Sequence, residues 1–221
     1  MAKRKLSVND AYFESIDTPQ KAYWLGFIAA DGCVSSTKNA IAIALQQKDK
    51  CLLEQFKQDI CFSGDIKDYI YVNKYNVSKI YITSKKMKED LRKWGIVPRK
   101  TNILTWPDIN QNFYSDFIRG YFDGDGSWSI RVRGNCKDCI FQIVSGAETF
   151  LKHIETVLRL ECGFEERSLC KMTNTNCYEL KYSGNGKAMK LYDFLYRPNS
   201  FYLERKFNKV TNIIENKRKE K

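Results

Sequence analysis

The sequence predicts an α+β fold of two pseudo-symmetric halves, each running helix, hairpin, helix, hairpin, helix. Three observations predict it. An apolar segment ending in Asp-Gly occurs twice, at Asp31-Gly32 and Asp125-Gly126. Each copy is followed by strand and helix patterns in the same order. A short stretch containing Pro107 separates the copies and suits a connection rather than a flexible linker.

The elements follow in order. Thr18 and Pro19 supply an N-cap and a first helical position, and residues 20–31 are nearly all apolar or small until Gly32 stops the helix. Such a helix is buried on every side. Its partner starts near Ser115 and ends at Gly126. Alternation then marks strands at residues 41–45 and 139–143, and each runs into a helical pattern, 51–60 and 148–160. Strand-like runs at 66–72 and 79–83 have counterparts at 166–172 and 178–183, joined by turns at 73–77 and 173–176. Basic helical segments at 85–94 and 186–196 lead to Arg99-Lys100 and Arg205-Lys206. The halves are residues 1–108 and 109–221.

A chain of 221 residues with 43% hydrophobic content can bury a substantial core. Its net charge of +11 favours a polyanionic partner, nucleic acid ahead of an anionic membrane surface. No apolar run reaches the roughly 18 residues of a membrane span, and the basic first seven residues lack a signal peptide's apolar core. These features predict a soluble intracellular protein, cytoplasmic if bacterial or phage-encoded. The eight scattered cysteines fit a reducing compartment, and no bridges are assigned. Cys136 and Cys139 form a CxxC pair without two further zinc ligands, which reads as a hairpin turn, and His153 falls in a helix.

The two acidic helix ends carry the chemistry. Gly26 with Ala30, and Gly120 with Gly124, are small residues four apart on one helix face, so two backbones can approach closely there. Parallel docking would bring Asp31 and Asp125 together at helix C-termini, where the helix dipoles and mutual repulsion oppose ionisation. A divalent cation compensates directly; magnesium, with manganese able to substitute, takes one or two carboxylates plus substrate phosphates. The competing readings are an ordinary Asp-Gly helix end and a calcium loop starting at Asp123. The calcium loop fails because Gly134 stands where a bidentate Glu belongs and Arg131 stands at a ligand position.

Trp24-Leu-Gly-Phe-Ile-Ala-Ala-Asp-Gly32 and Ile118-Arg-Gly-Tyr-Phe-Asp-Gly-Asp-Gly126 resemble the nine-position motif of the LAGLIDADG homing endonucleases. The resemblance spans nearly the whole chain. Its strongest positions are the third (glycine), the seventh (small), the eighth (Asp) and the ninth (Gly); Ala29 departs from the acid usual at the sixth. The resemblance implies metal ligation by Asp31 and Asp125, with Asp123 secondary, and antiparallel strands forming a saddle over DNA. It further implies that Lys100, Lys206, Gln47 and Ser145 organise water around the metals. For the lysines the alternative is an ordinary phosphate contact, and for Gln47 and Ser145 a polar strand end.

Strand parity separates Ser127, Ser129, Arg131 and Arg133 from Trp128, Ile130 and Val132, and Lys67, Tyr69, Tyr71 and Asn73 from Ile66, Ile70 and Val72. Lys67, Tyr69, Tyr71, Asn73, Arg131 and Arg133 are therefore the candidate DNA contacts, able to reach base edges or hold phosphates. The chain reads as a monomeric, site-specific, metal-dependent endonuclease for double-stranded DNA. Its target is long and only partly palindromic, because Arg131 and Arg133 have no basic match in Ser35 and Thr37. No intein-like junction is recognised, so the chain reads as free-standing and suited to intron homing. An RNA maturase or a non-catalytic DNA-binding regulator of the same fold stays open.

Overall fold

In the computed structural model, which describes residues 6–70, 76–134, 136–173 and 175–219, the repeat becomes two four-stranded antiparallel sheets. The first half runs α1 (Pro19–Asp31), β1 (Cys33–Val34), β2 (Ala40–Gln46), α2 (Lys50–Asp59), β3 (Lys67–Tyr69), β4 (Val77–Thr83) and α3 (Lys85–Lys93). The second runs α4 (Tyr114–Asp125), β5 (Gly126–Arg133), β6 (Cys136–Ser145), α5 (Glu148–Cys162), β7 (Cys170–Lys171), β8 (Tyr178–Ser183), α6 (Asn185–Leu195) and α7 (Glu204–Lys219). The sheet orders β1-β2-β4-β3 and β5-β6-β8-β7 are the same topology used twice.

Helix α1 begins as its sequence dictates. The Thr18 hydroxyl accepts from the Lys21 amide at 3.3 Å, and Pro19 occupies the first turn, where no amide proton is needed. Every residue from 22 to 29 is buried. Trp24 packs on Phe56 of α2 and donates from Nε1 to Asp59 at 2.6 Å, so its one polar atom is satisfied. In α4 the buried Arg119 pairs with Asp116 at 2.7 Å and donates to the carbonyls of Leu195 and Phe201. That pairing makes a buried guanidinium tolerable.

Helices α1 and α4 dock in parallel through their glycines. A Cβ built on Gly26 would stand 2.0 Å from the Phe117 carbonyl oxygen, and one on Gly120 would stand 1.9 Å from that of Tyr23. Further along, a Cβ on Gly124 would lie 2.3 Å from the Ala30 Cβ. Contacts that advance together along both helices define the parallel sense. A continuous apolar core surrounds this pair, with Phe122 stacked on Phe141 at 4.7 Å.

Four expectations need correction. Residues 66–72 do not form one long strand: β3 covers only Lys67–Tyr69, Ile70 is 80% exposed, and Val72 lies outside the described residues. Asp68 occupies the inward position of β3, accepting from the buried Ser78 at 2.6 Å and from Lys50 at 2.7 Å. Residues 166–172 yield only Cys170–Lys171, because the Arg167 amide is spent on the Glu155 carboxylate of α5 at 2.9 Å instead of a strand ladder. The CxxC pair forms no turn. Both cysteines lie in β6, where three-residue spacing points them to opposite faces, Cys136 exposed and Cys139 buried. Finally, α7 is a long helix absent from the sequence reading; Lys206, Val210 and Ile214, at four-residue steps, form its buried stripe. His153 is structural, its Nδ1 lying 2.8 Å from the Thr149 carbonyl and its ring stacked on Trp106. Among the described residues no helix is long and apolar enough to cross a membrane.

Candidate active site

Gly32 and Gly126 end α1 and α4 by turning the chain into extended conformation, directly into β1 and β5. The two acids therefore stand at adjacent helix ends, beside the sheets. A Cβ on Gly124 would come within 3.4 Å of the Asp31 carboxyl carbon, which places Asp31 against the last turn of α4. Both acids are open to solvent on one side and crowded by protein on the other. Burial raises the Asp31 carboxyl above its usual range against the pull of Lys206, Lys100 and Arg205. Burial and then the Asp31 charge push Asp125 up to about 6, opposed by Lys100, a Tyr121 hydrogen bond and Lys206. Two acids that resist ionisation despite neighbouring cations leave the helix ends short of positive charge.

The predicted lysines arrive at the same place. Lys100, in a short 3-10 turn entered through Arg99 at φ 59°, donates to the carbonyls of Gly32 at 2.5 Å and Ala30 at 3.3 Å. Lys206 lies against the carbonyls of Phe122 and Asp123, each at 2.7 Å, Gly126 at 2.5 Å and Gly124 at 3.2 Å. Each lysine thus ties off the C-terminus of its own half's helix, where a cation meets the negative dipole end. Burial lowers both lysines; Lys206 falls to about 8, with Asp123 pulling it back up. An ammonium has three donors, so those of the buried Lys206 are committed to carbonyls, whereas the half-buried Lys100 keeps one over. Lys206→Met should therefore destabilise the fold by about 3 kcal/mol, because buried carbonyls lose their donor. Lys100→Met should cost less, about 1 kcal/mol, since Lys100 is only half-buried and holds two carbonyls rather than four. Urea melts of the two variants check this ordering.

Ser145 and Gln47 do not occupy equivalent places. Ser145 is buried beside Tyr121, their hydroxyls 3.1 Å apart, and helps to line a cavity of about 210 Å³ that also holds Ala30, Lys100 and Asp125. Gln47 is exposed in the turn after β2 and accepts from Asn76 at 3.2 Å. The strand registers explain the difference. Two residues past each motif aspartate, Cys33 faces Ala42 and Ser127 faces Gln142, so Ala42 corresponds to Gln142 and Leu45 to Ser145.

Two contributors were not singled out from the sequence. Tyr121, one helical turn before Asp125, is among the groups that hold that carboxyl down; the i, i+4 spacing was its signal. Arg205 donates from Nε to both carboxylate oxygens of the buried Asp49, at 2.8 and 3.2 Å, and so ties α7 to the first half. Its position before Lys206 repeats that of Arg99 before Lys100.

Those candidate DNA contacts that fall within the described residues lie on the outward sheet faces. Lys67 and Tyr69 are exposed opposite Lys79 and Val77 of β4, while Tyr71 and Asn73 lie outside the described residues. Arg133 is exposed near the tip of β5, and Arg131 is held 3.2 Å from Asp138 across the hairpin. Ile130 and Val132 are on the opposite face as expected, yet 36% and 63% exposed, because β5 runs past the end of the core. A groove of about 610 Å³ beside β1 is lined by Lys38, Lys79, Tyr81, Arg99 and Lys100, among others.

Comparison with known proteins matches this arrangement. A family model described as a LAGLIDADG-like domain covers residues 18–95, which hold α1 through α3. The LAGLIDADG meganuclease I-AabMI bound to uncleaved DNA superposes with a TM-score of 0.56 over 90% of this chain and 92% of its own, at 15% identity. The chain carries the LAGLIDADG fold. The LAGLIDADG homing endonuclease I-SmaMI bound to cleaved DNA gives a TM-score of 0.55, covering 92% of each chain at 15% identity. I-SmaMI bound to an uncleaved target in the presence of calcium ions gives 0.54 over 91% and 92%, at 16% identity. An uncharacterized protein of Methanocaldococcus jannaschii is 24% identical over 158 residues, which is 69% of this chain and only 58% of that protein's length. In this chain the two docked helices are α1 and α4, and Asp123 of the second motif faces inward. It accepts from the Tyr23 hydroxyl and the Leu203 amide, both at 2.8 Å, so it serves the interface between the halves.

Proposed function

We propose that this chain is a site-specific endonuclease that hydrolyses phosphodiester bonds of double-stranded DNA with the help of a divalent metal ion, acting as a monomer on a long, partly palindromic target. The observation that carries the reading is the convergence of Asp31, Asp125, Lys100 and Lys206 at two helix ends whose backbones touch. A helix end needs one cap, and a bland pair of Asp-Gly stops has no use for two acids pressed together against their own ionisation.

The residues present fit a hard cation. Among the described residues no group of three or more His, Cys, Asp or Glu surrounds a point, so the protein offers two carboxylates and leaves the other positions to water and phosphate. That donor set is magnesium's, with manganese as a substitute. Bound there, held by Asp31 and Asp125, the ion would supply charge to the scissile phosphate and acidify water. The chain's own groups do the rest. Lys206 fixes the last turn of α4, Lys100 fixes that of α1 and presents its spare N–H to the substrate, and Tyr121 with Ser145 orients the Asp125 carboxyl. The outward sheet faces hold phosphates and read bases. I-AabMI and I-SmaMI, which share the fold, are both described in complexes with DNA.

Incubating the full chain with a randomised duplex library and magnesium should yield recurrent cuts at one long site, read by sequencing the ends. Selective binding without cutting in magnesium or manganese would overturn the enzyme reading and favour the regulator; binding confined to folded intron RNA would favour the maturase.

A further inference from the structure

The first hairpins of the two halves differ in length. Between the paired Cys33 and Ala42 lie eight residues, 34–41; between the paired Ser127 and Gln142 lie fourteen, 128–141. Both pairs stand two residues past a motif aspartate, so the hairpins share an origin at the candidate active site. The second therefore reaches three residues further per strand, about 10 Å at ~3.3 Å per residue. The added length is regular ladder: Arg131 faces Asp138, Val132 faces Lys137 and Arg133 faces Cys136. In the first half β1 stops at Val34, and residues 35–39 close a short loop.

The extension has the chemistry of base recognition. On its outward face stand Arg131, Arg133 and Asp138, and the Asp138 carboxylate holds the Arg131 guanidinium at 3.2 Å. A guanidinium whose orientation is already fixed loses little entropy on reading a base edge, and arginine's usual partner is the O6/N7 edge of guanine. The loop that answers it, Ser35-Ser-Thr-Lys-Asn39, is polar but does not extend as far.

We infer that the two half-sites are unequal, the second half reading about three base pairs further from the centre of the target than the first, through Arg131 and Arg133. The figure is the extra ~10 Å divided by the ~3.4 Å rise of duplex DNA. The inference rests on the DNA-recognition reading above and adds which end of the target is longer and why.

Bind-and-sequence selection from a randomised duplex, with the full chain in calcium and separately in EDTA, tests it. Base preferences should extend about three positions further on one side of the centre. The Arg131→Ala/Arg133→Ala chain should lose those outer preferences alone, with affinity for the selected site falling on the order of 10-fold per arginine. Lys79→Ala should weaken the short side, which assigns the halves. An unchanged melting temperature shows that the hairpin still folds, since both arginines project from an exposed arm. Equal extents on the two sides, or losses spread over both sides in the double variant, would overturn the inference while leaving DNA recognition intact. No selection under either condition would overturn both.

Discussion

Asp31→Asn and Asp125→Asn are each expected to reduce double-strand cleavage on the order of 10³-fold or more, while the protein remains folded and still binds its selected duplex. The size follows from what the acids do. An amide oxygen is neutral and holds a hard cation far less well than a carboxylate, and fixed charge at the reacting phosphate supplies much of such an enzyme's rate. The fold should tolerate either change. The Asp125 carboxyl is pushed up to about 6 by burial and by the Asp31 charge, so its ionised form is disfavoured in the folded chain. An acid raised in the folded state opposes folding above its unfolded value, and a neutral amide removes that opposition. Melting temperature should therefore stay level or rise in both variants. Nicking assays on a supercoiled plasmid carrying the selected site separate the strands. A variant that cuts one strand at full rate would show that each acid serves its own phosphate; loss on both strands would show a shared centre. Full activity of both variants would end the metal-site reading.

How much of this was legible beforehand depends on whether a residue's role is local. Asp31 and Asp125 could be picked out because each repeats its half's pattern, Lys100 and Lys206 because the resemblance to LAGLIDADG endonucleases implied them, and the structure brings all four together. The equivalence of Gln47 and Ser145 could not, because an alternating strand fixes its parity but not its register. Matching residues 41–45 with 139–143 keeps every face correct, yet it is two residues out of step with the observed pairing of Cys33 with Ala42 and Ser127 with Gln142. That slip alone moves the partner of Ser145 from Leu45 to Gln47. Arg205 and Asp49 meet across 156 residues of sequence, which no local pattern encodes. Helix α7 escaped notice because its apolar stripe is thin and crossed by charge, with Lys206 occupying one buried position. The missing length of β7 had no local signal either, since it depends on Glu155 taking the Arg167 amide.

Gly26→Ala or Gly120→Ala should be the most destabilising single methyl that can be added to this chain. Overpacked cores usually lose about 1–3 kcal/mol because side chains can turn aside. Here the obstacle is backbone. The new Cβ would stand 2.0 Å from the Phe117 carbonyl oxygen or 1.9 Å from that of Tyr23, and neither can move without breaking its own helix. The helices must separate instead, which opens the apolar seam along buried residues such as Tyr23, Phe27, Phe117 and Tyr121. A loss of about 4 kcal/mol or more is expected, corresponding to roughly 10 °C in melting temperature. Gly186→Ala provides the control: nothing lies within 4 Å of its would-be Cβ in α6, so the same methyl should add about 0.5 kcal/mol of stability. Activity should fall further than stability alone requires. The seam that sets the helix separation also sets the spacing of Asp31 and Asp125, and a displacement of about 1 Å at a reacting centre can cost on the order of 10²-fold. Cleavage measured at 10 °C, where the folded fraction of a Gly26→Ala chain can be confirmed by near-ultraviolet dichroism, separates the two effects. Wild-type rates in that folded fraction would mean that the glycines serve the fold alone, and a loss there would show that the same close approach builds the site.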